Sequence, residues 1–137
     1  MNRVTLEIDR DLRNLHIATG VGKEVCNLLQ EEQLVSPQFC MEFELVLSEA
    51  LTNAIVHGEE IPHNKKVRLN IAIEDRLVAV QICERGPGFD LDAVPEPDFD
   101  SFPEHGYGLS IIREKCSQVR YFKNQEDWNV LELIKEY

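Results

Sequence analysis

The feature that most constrains this chain is the way its apolar period changes along its length. Residues 4–8, V-T-L-E-I, alternate apolar and polar side chains, the two-residue period of a half-buried strand. From 12 to about 34 the period lengthens to that of a helix, with Leu12, Leu15, Ala18, Val25, Leu28 and Leu29 in phase and Gly20 and Gly22 as a soft spot or break. Ser36-Pro37 offers an N-cap followed by a proline at the first helical position. A second helix is therefore expected from 37 to about 57, stopping at Gly58. The period returns to two over 65–74, where Val67, Leu69, Ile71 and Ile73 line one face, and again over 77–84. Glu74-Asp75-Arg76 joins these two strands tightly, as a hairpin.

Residues 89–104 break the order, with prolines at 95, 97 and 103 and six carboxylates against no Lys or Arg, and read as a long loop. A helix is expected over 106–117 and a closing hairpin over 119–123 and 128–134. Strand, two helices, two strands, loop, helix, two strands is an α+β order. It predicts a two-layer sandwich, a mixed, mainly antiparallel sheet covered on one face by about three helices, as one domain over residues 1–137.

Composition removes several classes of function. A net charge of −11 opposes any broad electrostatic attraction to nucleic acid or to an anionic membrane surface. No stretch approaches the length of a membrane span, and the charges spaced through the first fourteen residues exclude a secretory signal, so a cytoplasmic location is expected. Cys26, Cys40, Cys83 and Cys116 are dispersed without a C-x-x-C pair, which fits reduced, mostly buried thiols better than a zinc site. An anionic ligand would have to be held by backbone N–H groups or through a cation.

Five of the seven glycines, Gly58, Gly86, Gly88, Gly106 and Gly108, fall at the ends of predicted elements, where a backbone can turn sharply or approach a ligand closely. On the second helix, Phe43, Val46, Leu47, Ala50 and Ala54 form the apolar stripe, while Glu49, Asn53 and His57 recur every four residues and stack beside it. An acid and an amide at that boundary face the edge of the core. Read alone, they also suit a solvated helix flank. They are followed, in order, by Glu84-Arg85-Gly86-Pro87-Gly88 at a strand end and Gly106-Tyr107-Gly108-Leu109 at a helix start. Together E-x-x-x-N, acid-x-G-x-G and G-x-G resemble the three ATP-site boxes of the GHKL ATPases, whose ATP-binding domain is the Bergerat fold. The run Ser48 to Gly58, with its His-Gly ending, is most similar to the anti-sigma factor serine/threonine kinases of bacterial partner switching.

The resemblance implies ATP and Mg²⁺ as ligands. By it Asn53 helps hold the metal, and Glu49 is the catalytic base on the attacking hydroxyl, one helical turn away. Glu84 accepts from the adenine amino group. Gly86, Gly88 and Phe89 lie along the base and ribose, and Gly106, Tyr107, Gly108 and Leu109 meet the phosphates at a helix N-terminus. His57 reads as a helix C-terminal residue favoured by the dipole, and His16 and His63 as surface or packing residues. Two positions depart from the pattern: glutamate replaces the usual aspartate at 84, and Trp128-Asn129 stands where a Gly-Thr pair is common.

The activity implied is phosphorylation of an antagonist (anti-anti-sigma) protein on serine together with sequestration of a sigma factor, by a homodimeric protein that uses neither nucleic acid nor membrane. The alternative is a regulatory module that binds nucleotide with little turnover, which Glu84 and the acidic loop favour. A sensor histidine kinase catalytic domain is disfavoured, because only about 36 residues precede the second helix.

Overall fold

Alternate residues of every strand face a single layer of helices, and that alternation organises the computed structural model. It describes residues 2–56, 66–86, 88, 91 and 107–137. Strands β1 (Asn2–Asp9), β2 (Lys66–Glu74), β3 (Leu77–Glu84), β4 (Gln118–Lys123) and β5 (Asn129–Glu136) form one sheet in the order β1-β2-β3-β5-β4. Every described pairing is antiparallel, in line with the mainly antiparallel sheet expected. Helices α1 (Leu15–Glu31), α2 (Pro37–Val56) and α3 (Tyr107–Lys115) cover one face, with α2 touching both of the others.

The core lies between the layers. Val67, Leu69 and Ile71 of β2, Val78, Val80 and Ile82 of β3 and Leu131 and Leu133 of β5 meet Phe43, Leu47, Ala50, Leu51 and Ile55 of α2. Cross-strand register keeps these rows aligned: Leu69 opposes Ile82, and Ile82 opposes Leu131. The far face of the sheet carries a small second cluster of Cys83, Trp128 and Val130 with Phe122 against it. There Trp128 is held between the guanidinium groups of Arg68 and Arg85, 4.7 and 4.5 Å from its ring centre.

Helix limits follow local chemistry. Ser36 Oγ accepts from the Phe39 amide at 3.1 Å, so the N-cap expected before Pro37 is formed. A 3₁₀ turn, Leu12–Asn14, precedes α1 and is capped by the Asp11 side chain. The α1 helix then runs through Gly20 and Gly22 without a break. Gly22 is there for packing: a Cβ would lie 2.2 Å from Leu47 Cδ2, so its absence lets α1 and α2 close on each other. At its end Gln33 takes a φ of 59°, and the amides of Gln33 and Leu34 return to the carbonyls of Gln30 and Leu29 in a Schellman closure. The expected stop of α2 at Gly58 lies outside the described residues, as do His57, His63 and the loop 92–104. Among the described residues no helix is long and apolar enough to cross a membrane.

Candidate functional site

At one end of the layer the helix-facing rows change from apolar to polar. On β3 the inward positions run Val78, Val80, Ile82 and then Glu84; on β5 they run Leu133, Leu131 and then Asn129, directly opposite Glu84. The sandwich is thus floored at this end by an acid and an amide where the pattern predicts aliphatic side chains. Asn129 is almost wholly buried, at 3% exposure, and buried amides need partners. Its Nδ2 donates to Glu84 Oε1 at 3.1 Å and to the Gly86 carbonyl at 3.0 Å. Tyr121, inward-facing on β4, donates its hydroxyl to the same Glu84 oxygen at 3.3 Å. The other oxygen, Glu84 Oε2, accepts from Arg10 Nη2 at 3.1 Å.

Gly88 closes over this floor. Its φ of +72° belongs to the left-handed region, and a Cβ would lie 3.0 Å from Tyr121 Oη and 3.2 Å from Asn129 Oδ1. Conformation and space both require glycine here. On the other side stands α2, whose Glu49 and Asn53 are half-buried beside the start of α3. A Cβ on Gly108 would lie 2.8 Å from Glu49 Oε2 and 3.3 Å from Asn53 Nδ2. The acid and amide one turn apart on α2 therefore converge on the first turn of α3, where the amides of an α-helix have no intrahelical partner.

The structure thus brings Glu49, Asn53 and Gly108 together, and Glu84, Gly86 and Gly88 together, with Arg10 linking the two groups. The Arg10 guanidinium also donates through Nε and Nη2 to the carbonyl of Ala54, the residue after Asn53, at 2.9 and 2.7 Å. Tyr107 opens α3, and the Leu109 side chain packs against the core. Phe89 and Gly106 lie outside the described residues, as does the Tyr107 side chain. A cavity of about 380 Å³ lies elsewhere, lined by Leu91, Arg113, Cys116, Ser117, Gln118 and Val119, none of them a predicted site residue. Among the described residues no three metal-binding side chains cluster. An ion such as Mg²⁺ takes one or two protein oxygens and completes its shell with phosphate and water. Asn53 could supply one of them, with Glu49 beside it.

Arg10 and Tyr121 are the members of this network that the motifs do not reveal. Their signal is present in the alternation: Arg10 continues the inward series Leu6, Ile8, and Tyr121 follows Val119 on the inward side of β4. A charge or hydroxyl in phase with a buried apolar stripe needs a buried polar partner. The burial of Cys83 beneath Trp128, beside this floor, pushes its thiol pKa up.

Comparison with known proteins agrees with this architecture. The histidine kinase-like ATPase domain family matches residues 11–135. The anti-sigma F factor of Pasteuria penetrans is 34% identical over 100 residues, covering 69% of this chain and 67% of that protein. Those of Bacillus mycoides (strain KBAB4) and Bacillus cereus (strain AH820) are each 33% identical over 98 residues, with the same shares covered. With the family match running from the first turn after β1 to the last strand, the chain belongs to the histidine kinase-like ATPases and, within them, to the anti-sigma factor kinase family.

Proposed function

We propose that this chain is an ATP-dependent serine/threonine kinase acting as an anti-sigma factor, which phosphorylates an antagonist protein on serine and holds a sigma factor. The observation that carries the reading is the placement of Glu49 and Asn53 against Gly108 at the start of α3. A base, a metal-binding amide and a helix N-terminus that favours anions then share one location. When bound, Mg²⁺ neutralises phosphate charge in a protein of net charge −11, which would otherwise repel the nucleotide. Glu49 orients the attacking serine hydroxyl and takes its proton as the oxygen bonds to the γ-phosphorus and ADP departs. Asn53 offers its amide oxygen to the metal. The first amides of α3 donate to the phosphates, and Glu84 accepts from the adenine amino group above Gly86 and Gly88. The proposal includes one functional domain over residues 1–137 and a homodimer.

The test is transfer of label from γ-labelled ATP to the cognate antagonist protein. Wild type should label it on serine, while Glu49→Gln binds Mg-ATP but loses at least 100-fold in transfer, within the range for removal of a general base. Equal transfer by Glu49→Gln would reject this assignment. A second reading, a nucleotide-holding module with little turnover, is favoured by the tight fixing of Glu84 through three side chains. It predicts that saturating Mg-ATP raises the melting temperature, about 2.7 kcal/mol at 100 times Kd, with no label transferred by wild type.

A further inference from the structure

Arg10 makes contacts that β1 itself does not need. Its side chain is 2% exposed, and its guanidinium reaches two other segments, α2 and the end of β3. It donates twice to the Ala54 carbonyl in the last turn of α2, once to Glu84 Oε2 at the end of β3 and once to the Arg85 carbonyl at 3.5 Å. Ala54 lies in the last described turn of α2, and a cation near a helix C-terminal end interacts favourably with its dipole.

The second contact explains how a glutamate can serve at position 84. Its side chain has one more rotatable bond than aspartate, so an unrestrained carboxylate would spread over several rotamers. Arg10 fixes one oxygen, while Asn129 and Tyr121 fix the other. The planar guanidinium suits this task, because its donors are rigidly arranged and it remains charged. One side chain thus ties the group facing the base to the helix that carries Glu49 and Asn53.

We infer that Arg10 is a positioning residue for nucleobase recognition, holding Glu84 to accept from an exocyclic amino group and keeping that acid in register with α2. The inference rests on the nucleotide-site reading of Glu84 given above. It predicts a purine triphosphate specificity set partly by a residue that need not touch the nucleotide.

The experiment compares the Kd of Mg-ATP with that of the Mg complex of purine riboside triphosphate, which lacks the 6-amino group, for wild type, Arg10→Gln and Arg10→Lys. Wild type should favour ATP at least 10-fold. Arg10→Gln should reduce that preference to less than 3-fold by weakening ATP alone, and Arg10→Lys, which keeps the charge without the fork, should fall between. A general structural defect would weaken both nucleotides alike and leave the ratio unchanged, which would overturn the inference. Should Arg10→Gln fail to fold, Arg10→Lys carries the test: an unchanged ratio in the folded lysine variant overturns the inference, and a lowered one supports it. A wild type that binds neither nucleotide overturns the nucleotide reading itself and this inference with it. A wild type that prefers ATP, with variants that keep the preference, overturns the role of Arg10 alone.

Discussion

The carboxylate of Glu49 lies 2.8 Å from where a side chain on Gly108 would begin. Glu49 is on α2 and Gly108 is the second residue of α3, so this approach fixes where the N-terminus of α3 meets the acid. Gly108→Ala should therefore separate stability from function. The first atom displaced is the far end of a flexible side chain, and alanine is a better helix former than glycine by about 1 kcal/mol. The melting temperature should hold or rise slightly. Glu49 must turn away from its present position, and label transfer to the antagonist should fall at least 10-fold. A Gly108→Ala protein with wild-type transfer would show that the closeness of these two residues has no catalytic meaning.

Gly20 and Gly22 lie two residues apart in the same helix and should respond in opposite directions to alanine. Around Gly20 a Cβ meets nothing within 4 Å, so Gly20→Ala gains helix propensity without a clash and should stabilise by up to about 1 kcal/mol. At Gly22 the Cβ would lie 2.2 Å from Leu47 Cδ2, in a residue that is 1% exposed. Overpacking of this kind costs about 1–3 kcal/mol, more than the propensity gain at its upper end, so a net loss is expected. Urea denaturation of the two variants checks the pair. Stabilisation by both would mean that α1 and α2 are less tightly opposed than the structure has them.

These glycines also show what the sequence alone could convey. Period read as period succeeded: the alternation over 67–73 and the stripe Phe43, Val46, Leu47, Ala50 are the facing surfaces of the core. A break at Gly20 and Gly22 was a fair local expectation, because propensity counts only the helix itself. The packing of Gly22 under Leu47, which keeps the helix whole, is a contact between elements and leaves no local mark. The strand order β1-β2-β3-β5-β4 was likewise hidden, since it depends on where the chain returns. In the site, Glu49, Asn53, Glu84, Gly86, Gly88 and Gly108 were legible through their spacing. Arg10 was not, because its partners Ala54 and Glu84 are 44 and 74 residues away. Only its phase with Leu6 and Ile8 gave it away.

The four thiols should be nearly inert in the native protein. Cys26, Cys40 and Cys83 are buried, and Cys116 is partly so. Burial pushes the Cys116 thiol up to about 11 and raises that of Cys26 further. At pH 8 the Cys116 thiolate fraction is then on the order of 10⁻³, since the thiolate is the reacting species. Titration with a thiol-reactive dye at pH 8 should show little reaction over minutes in the folded protein and four thiols in denaturant. Rapid reaction of two or more thiols at pH 8 in the folded state would contradict the burial of the α1–α2 contact that holds Cys26 and Cys40.

Lys135 provides a pH-dependent contribution to stability. It is 8% exposed on the helix side of β5, where its Nζ donates to Glu42 Oε2 at 2.9 Å and to the Lys115 carbonyl at 2.7 Å. It thereby joins β5 to α2 and caps the end of α3. The bond from Lys135, aided by one from Gln38, holds the Glu42 carboxyl below its ordinary value of 4.5. A carboxyl whose folded pKa is depressed stabilises the protein above its unfolded value, and that contribution fades as pH falls from about 4.5 through the folded pKa. Glu42→Gln should therefore lower stability at pH 7 by about 1–3 kcal/mol, the size of a hydrogen bond to a charged group. Lys135 would be left buried with a weaker partner. The gap between the two proteins should narrow as pH falls from about 4.5 through the folded pKa, because the wild-type carboxyl is then becoming protonated. Urea midpoints measured from pH 7 down to pH 3 decide it. A constant gap between wild type and Glu42→Gln across that range would show that ionisation of Glu42 contributes nothing to the fold.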